Sequence, residues 1–229
     1  MESKTVTIII PVWKDADPLK RLLAELVILN PQPEVIVVQT EEEVPFSADP
    51  VWEKNLMVLC APKGRGSQMN AGARAASGDV FLFLHADSIL MHDFWESFHD
   101  WLVHAHDVMG GCFRFSLPHA TGFWPRLYEI MVWIRVNGLN LPYGDQGFFI
   151  RRLAWNQAGP FRDWPLMEDL EWWRRAGRKI RLKKLSIPLG TSSRRFERRG
   201  WGKSAIRNIS ILTLYLLGIK PETLKKLYT

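Results

Sequence analysis

Four short, nearly uninterrupted apolar runs constrain this chain more than anything else in it: Thr5–Val12 (TVTIIIPV), Glu34–Val38, Leu56–Ala61 and Val80–Leu84 (VFLFL). A strand with one wet face alternates polar and apolar residues. These runs do not alternate, so both faces are covered, as in a parallel sheet between helix layers. Between the first two runs, Asp17-Pro18 reads as an N-cap followed by proline at the first helical position. Leu19, Leu22, Leu23 and Leu26 then supply the apolar stripe of that helix. Between the third and fourth, the stretch from Gly64 is rich in Ala and Gly and reads as a short helix. Strand, helix, strand, strand, helix, strand predicts an α/β fold with a mostly parallel sheet.

The same runs exclude two nucleotide folds. The first strand is followed by PVWKDAD, with no glycine, whereas a dinucleotide fingerprint or a P-loop needs glycines there. Gly64-Arg65-Gly66 is too short for either motif and by itself reads as a turn. The fourth run breaks into His85-Ala86-Asp87-Ser88. Ligands of open α/β sheets bind beyond the carboxyl ends of strands, which makes Asp87 a candidate chemical centre. Its competing reading is a cap for the helix expected from His92.

The second half is less regular. Phe94, Trp95, Phe98, Trp101 and Leu102 form a core stripe on a helix over His92–Ala105, while His99, His104 and His106 read as solvated. A strand is predicted over Met109–Ser116, an apolar helix over Trp124–Val136, a polar loop from Leu141 running into a short strand, and a helix near Arg152–Ala158. The segment from Phe161 to Leu170 opens a further helix, with Gly177 as its left-handed terminator. Glu168 and Asp169 fall in its first turn, where the helix dipole alone would favour carboxylates. A strand over Lys179–Ile187, the basic segment TSSRRFERRGWGKS and an apolar helix over about Ala205–Leu217 follow.

The 229 residues suffice for one domain with a sizeable core. The net charge of +6, concentrated after Arg151, favours anionic partners. Cys60 and Cys112 lack metal-ligand spacing and read as buried thiols of a reducing compartment. The start MESK has no signal-peptide core, and no apolar stretch reaches the roughly 18 to 20 residues of a spanning helix, so a cytoplasmic location is expected.

Taken together, the strand ending at Pro11-Val12, GRGSQMNAGARAASGD, His85-Ala86-Asp87, Gly144-Asp145-Gln146 and Met167-Glu168-Asp169 resemble the family 2 glycosyltransferases of GT-A fold. Within that family the chain looks most like a small bacterial group described as radical-SAM/selenodomain-associated transferases, which carry HAD, GDQGFF, LMED and TS-x-RR-x-x-x-RG. The resemblance spans about Thr5 to Tyr228. It implies a single GT-A domain over residues 1–229 with C-terminal helices: a nucleotide-sugar half (1–108), an acceptor and catalytic half (109–202) and a helical tail (203–229). It further implies an inverting, hexosyltransferase-like enzyme that moves a sugar from a nucleotide-sugar donor to an acceptor hydroxyl.

Carried over residue by residue, the resemblance implies a donor site of Pro11, Val12, Asp15, Gln39, Arg65, Gln68, Asn70, Asp87, Gln146, Arg195 and Arg198. Asp87 would hold a divalent cation, Mg²⁺ or Mn²⁺. Asp169 would be the general base, Glu168 its runner-up, and Asp145 would position the acceptor or the diphosphate. Two positions depart from the family. His85 replaces the first acid of the usual DxD, and Gln39 stands where an Asp reads uracil in the wider family. The segment Arg194–Arg199 admits a solvated face, a nucleic-acid patch, or a loop closing over the diphosphate; the resemblance favours the loop and no nucleic-acid partner. The last helix is read as buried, or as a shallow membrane contact near Lys203, Arg207, Lys220, Lys225 and Lys226 that would suit a lipid-like acceptor. Trp164, Trp172 and Trp173 could stack on an apolar acceptor or a sugar face, although most of the tryptophans read as core. Two other functions compete. A nucleotidyltransferase would need a glycine-rich loop after the first strand, which is missing. A catalytically weakened nucleotide-sugar or membrane-surface binding module is suggested by His85 and Gln39.

Overall fold

The structure is a computed structural model that describes residues 4–43, 46 and 55–228. The Met1–Ser3 start, read above as leaderless, lies outside them. The four apolar runs are strands β1 (Val6–Pro11), β2 (Glu34–Thr40), β3 (Leu56–Ala61) and β4 (Val80–Phe83). Helix α1 (Ala16–Leu26) links β1 to β2, and α2 (Arg65–Ala75) links β3 to β4. Next come β5 (Ser88–Leu90), α3 (Phe94–His104), β6 (Gly110–Ser116), α4 (Phe123–Leu139), a 3-10 turn (Gly144–Gln146), β7 (Phe148–Arg151), α5 (Arg152–Ala158) and α6 (Glu168–Ala176). The chain finishes with β8 (Leu182–Thr191), α7 (Arg194–Arg199), α8 (Trp201–Leu216) and α9 (Pro221–Tyr228).

One sheet runs in the order β3-β2-β1-β4-β7-β6-β8-β5. The pairs β3-β2, β2-β1 and β1-β4 are parallel, and β7 enters antiparallel between β4 and β6. The apolar runs are two-sided because the sheet is. Ile8, Ile10, Val35, Val37 and Leu82 pack under α1 and α3, while Ile9, Ile36, Val38, Phe81 and Phe83 pack under α2, α5 and α6. Two smaller clusters carry the tail: Phe115, Tyr128 and Val132 against Phe196 and Trp201, and Met167 and Leu170 against Ile211 and Leu224.

Several expectations are corrected. Cys60 is exposed near the end of β3, an edge strand of the sheet, whereas Cys112 is buried and its thiol is pushed up to about 12 by burial. Helix α1 starts earlier than expected, with Asp15 as its N-cap and Asp17 in the first turn. Gly177 has φ −63°, so α6 ends without a left-handed residue. His99 is half-buried, edge-on to Trp95 with ring centroids 4.5 Å apart, rather than solvated. Segment 194–199 is a short helix, not a loop, and α8 begins at Trp201. Trp172 and Trp173 are buried in the core, which removes them as stacking surfaces.

Candidate active site

Asp87 sits where β4 has ended. Its turn is closed by the Ser88 N–H, which donates to His85 O at 3.0 Å, and β5 follows directly. The next helix is capped by Asp93, so the capping alternative for Asp87 falls away. From the other half of the chain comes Asp169, in the first turn of α6. The residue before that helix, Met167, is in the left-handed region at φ 63°, a conformation that non-glycine residues keep where the surroundings enforce it.

Gly144 joins the two. Its N–H donates to Asp169 Oδ2 at 2.7 Å, and the other carboxylate oxygen accepts from the Leu170 N–H at 2.7 Å. A Cβ on Gly144 would lie 3.0 Å from His85 Nε2 and 3.2 Å from Asp169 Oδ2. Strand β4's exit turn, the 3-10 turn and the start of α6 therefore meet within van der Waals distance. They line one cavity with Arg65, Tyr143, Asp145, Arg195 and residues of α8.

The charges there are unequal. Glu168 is buried with Arg65 Nε 2.7 Å from its Oε1. Burial raises its carboxyl, and the Arg65 guanidinium opposes that. Asp145 is pushed up to about 6, chiefly by burial; Arg135 opposes the shift and Asp169 adds to it. Its Oδ1 has no hydrogen-bond partner among the described residues. Burial and then the Arg65 guanidinium press His85 down to about 4, so its ring is neutral around pH 7. Asp15 is raised by burial and by Asp87. Asp87 itself is held by Arg195, whose Nη2 is 3.1 Å from Oδ2.

The remaining expected donor residues divide. Gln68 is buried, and its amide donates to Val12 O and Val38 O, each at 2.7 Å. Asn70 exchanges two hydrogen bonds with the backbone of Phe161, at 2.8 and 2.9 Å. Both amides tie α2 to its neighbours instead of presenting donors to a cleft. Gln39 accepts from the Phe46 N–H at 2.8 Å. Gln146 is buried, accepting from the Tyr143 N–H at 3.3 Å and donating to Phe113 O at 3.1 Å. Pro11 and Val12 are buried at the end of β1, and Arg198 is exposed on α7.

Sequence reasoning missed the α8 wall of the cavity. Ser204 Oγ and Arg207 Nε are buried there with no hydrogen-bond partner among the described residues. Ser204 and Arg207 are three apart on α8, but Lys203, Asn208, Ser210 and Thr213 are polar too, so spacing alone does not single them out.

No group of three or more His, Cys, Asp or Glu side chains among the described residues is placed to hold a metal ion. Asp87 is a lone hard-oxygen ligand beside a neutral imidazole. That donor set fits only a cation that draws most of its shell from phosphate oxygens and water, as Mg²⁺ does at nucleotide sites.

A mainly parallel sheet with carboxylates gathered beyond its strand ends is the architecture of a GT-A glycosyltransferase. Residues 7–165 match the family described as "Glycosyl transferase family 2". The chain belongs to that family. Among solved structures it is similar to a mannosyltransferase of Pyrobaculum calidifontis, in complex with GDP-Man and Mn²⁺ (TM-score 0.62, 16% identity, 100% of this chain and 69% of that one). It is also similar to Staphylococcus aureus TarS 1-349 (0.61, 15%, 98% and 69%). A third likeness is glucosyl-3-phosphoglycerate synthase of Mycobacterium tuberculosis with Mn²⁺, UDP-glucose and phosphoglyceric acid (0.59, 12%, 90% and 78%). No individually curated protein matches the chain at the sequence level. At these identities the structural likeness speaks for the fold.

Proposed function

We propose that the protein is an inverting glycosyltransferase of the small HAD-type bacterial group, moving a hexose from a nucleotide-sugar donor to an acceptor hydroxyl. The observation that carries this reading is that Asp169 and His85, from the turn that also carries Asp87, line one cavity with Gly144 between them, while Asp87 reaches that cavity through its ion pair with Arg195. Asp169 is the general base. Two backbone N–H groups orient its carboxylate, and each oxygen keeps a second lone pair for the acceptor O–H. One displacement with base and leaving group on opposite sides of the sugar inverts the anomeric centre.

Asp87 would hold a divalent cation, Mg²⁺ or Mn²⁺; bound with the donor, that ion neutralises charge developing on the departing diphosphate. The Mn²⁺ in the mannosyltransferase and synthase complexes supports this assignment. Arg195, already at Asp87, supplies a guanidinium to the same diphosphate, with Arg198 one turn further along α7. Asp15 and Gln39 lie on the β1 and β2 side of that turn, where the nucleoside of the donor would lie. Glu168 is the counter-charge of Arg65 rather than a second base.

Asp169→Asn tests the assignment. We expect transfer to fall by about 10³-fold or more, from loss of the base, while the affinity for nucleoside diphosphate stays within a few-fold. Full turnover by that variant would remove Asp169 from the role. Thermal unfolding with nucleotide sugars, with and without Mn²⁺, reports the donor: a bound ligand at 100 times its Kd adds about 2.7 kcal/mol to apparent stability.

A further inference from the structure

Helix α4 is apolar on two sides. Tyr128, Val132 and Val136 face the core, yet Phe123, Trp124, Ile130, Trp133, Ile134 and Leu139 are each at least half exposed. Such a helix ordinarily has something covering its second side. Helix α8 repeats the pattern with Ile206, Ile209 and Leu216. Between the two helices runs an apolar groove walled by Met131, Ile134 and Leu139 of α4 and by Ile209, Leu212 and Leu216 of α8.

The groove adjoins the candidate active site, with Tyr128, Tyr143 and Asn208 lining both. At that junction lie the unpartnered Ser204 Oγ and Arg207 Nε, and the Arg135 guanidinium stacked 3.5 Å over the Tyr143 ring. An apolar trough leading to buried donors and two cations has the complement of an amphiphile, one with an aliphatic chain and an anionic head. The charge around it agrees. Residues 123–139 and 201–228 carry seven Lys or Arg against two Asp or Glu. Exposed tryptophans such as Trp124 and Trp133 suit a boundary that is apolar on one side and wet on the other.

We propose that the α4/α8 groove binds the aliphatic chain of a membrane lipid whose anionic head carries the acceptor, delivered between Arg135 and Arg207 to Asp169. The acceptor role rests on the transferase reading; chain binding does not. A second copy of this chain would also bury the apolar face, but it would leave the buried donors at the junction without a partner.

The test uses the whole protein without nucleotide or metal. Cis-parinaric acid, whose fluorescence rises in apolar surroundings, should bind saturably at about one equivalent and be displaced by dodecyl phosphate. Ile134→Gln with Ile209→Gln, both at exposed positions, should weaken parinarate at least ten-fold with the thermal midpoint unchanged. Arg207→Gln should weaken dodecyl phosphate at least five-fold while sparing dodecanol, which separates head from chain. Absence of saturable binding, or binding indifferent to the double variant, would overturn the proposal. So would a dimer that the double variant converts to monomer while neither form binds the chain. A negative result leaves the donor reading standing. Intact parinarate binding with no donor-induced stabilisation would instead sink the transferase reading and keep the groove.

Discussion

Asp145 illustrates how a single carboxylate shapes this molecule. Its folded-state value near 6, against an ordinary 3.8, means the native protein holds that proton more tightly than the unfolded chain does. Stability is therefore complete below about pH 4 for this group and drains as the pH rises through 6. Asp145→Asn removes the drain. We expect the variant to gain about 2 kcal/mol over the parent at pH 8 and nothing at pH 4, measured by urea unfolding at the two pH values. A gain equal at both values would mean that Asp145 is not the group responsible. Holding a destabilising carboxylate beside Asp169 is the pattern expected where function rather than stability selects a residue.

Among elements, α2 is held to α6 by an ion pair and to the segment before α6 by a close approach. Arg65→Met would leave Glu168 buried without its counter-charge, at a cost of about 3 kcal/mol. Adding Glu168→Gln should recover most of that, and a double-mutant cycle with little coupling would show that the pair contributes nothing. Gly66 makes the approach possible, since a Cβ there would collide with the Arg162 carbonyl. Helix α7 behaves differently. It has no buried residue, carries four arginines, and touches the donor side through Arg195. Limited trypsin digestion should cut within Arg194–Arg199, and a nucleoside diphosphate with Mn²⁺ should slow that cut several-fold by ordering the helix. Protection by nucleic acid alone would argue for a different ligand.

Across the whole molecule, the N-terminal half was legible because each strand and helix there announces itself locally: a two-sided apolar run, or leucines at helical spacing. What escaped is set by distance in the chain. Nothing near Asp87 tells that the next three residues pair with β8, which turns a helix cap into a turn residue. The exposure of Cys60 goes with β3 being last in the sheet order, a property of the assembled sheet and not of the run itself. The importance of the Asp87 turn and of Asp169 came into view through the family resemblance, whereas the Arg65–Glu168 pair and the α8 wall needed coordinates. The tail is part of that assembly. Leu224 on α9 is wholly buried and packs in one cluster with Met167 and Leu170 beside the Glu168-Asp169 pair. Leu224→Ala should cost about 2–4 kcal/mol in chemical denaturation and lower transfer as well. Unchanged activity would uncouple the tail from the site.

Gly144 has a consequence for how such a protein can change over generations. It separates the imidazole of one half from the carboxylate of the other by a gap that a methyl group would enter only if one of them shifted by a few tenths of an ångström. Drift of the β4 turn toward α6 is passed on to α6, since little space is left between them to absorb it. Loops elsewhere can lengthen one mutation at a time. At this point the two halves are coupled, and a substitution of the glycine has to be met by a shift of His85 or Asp169.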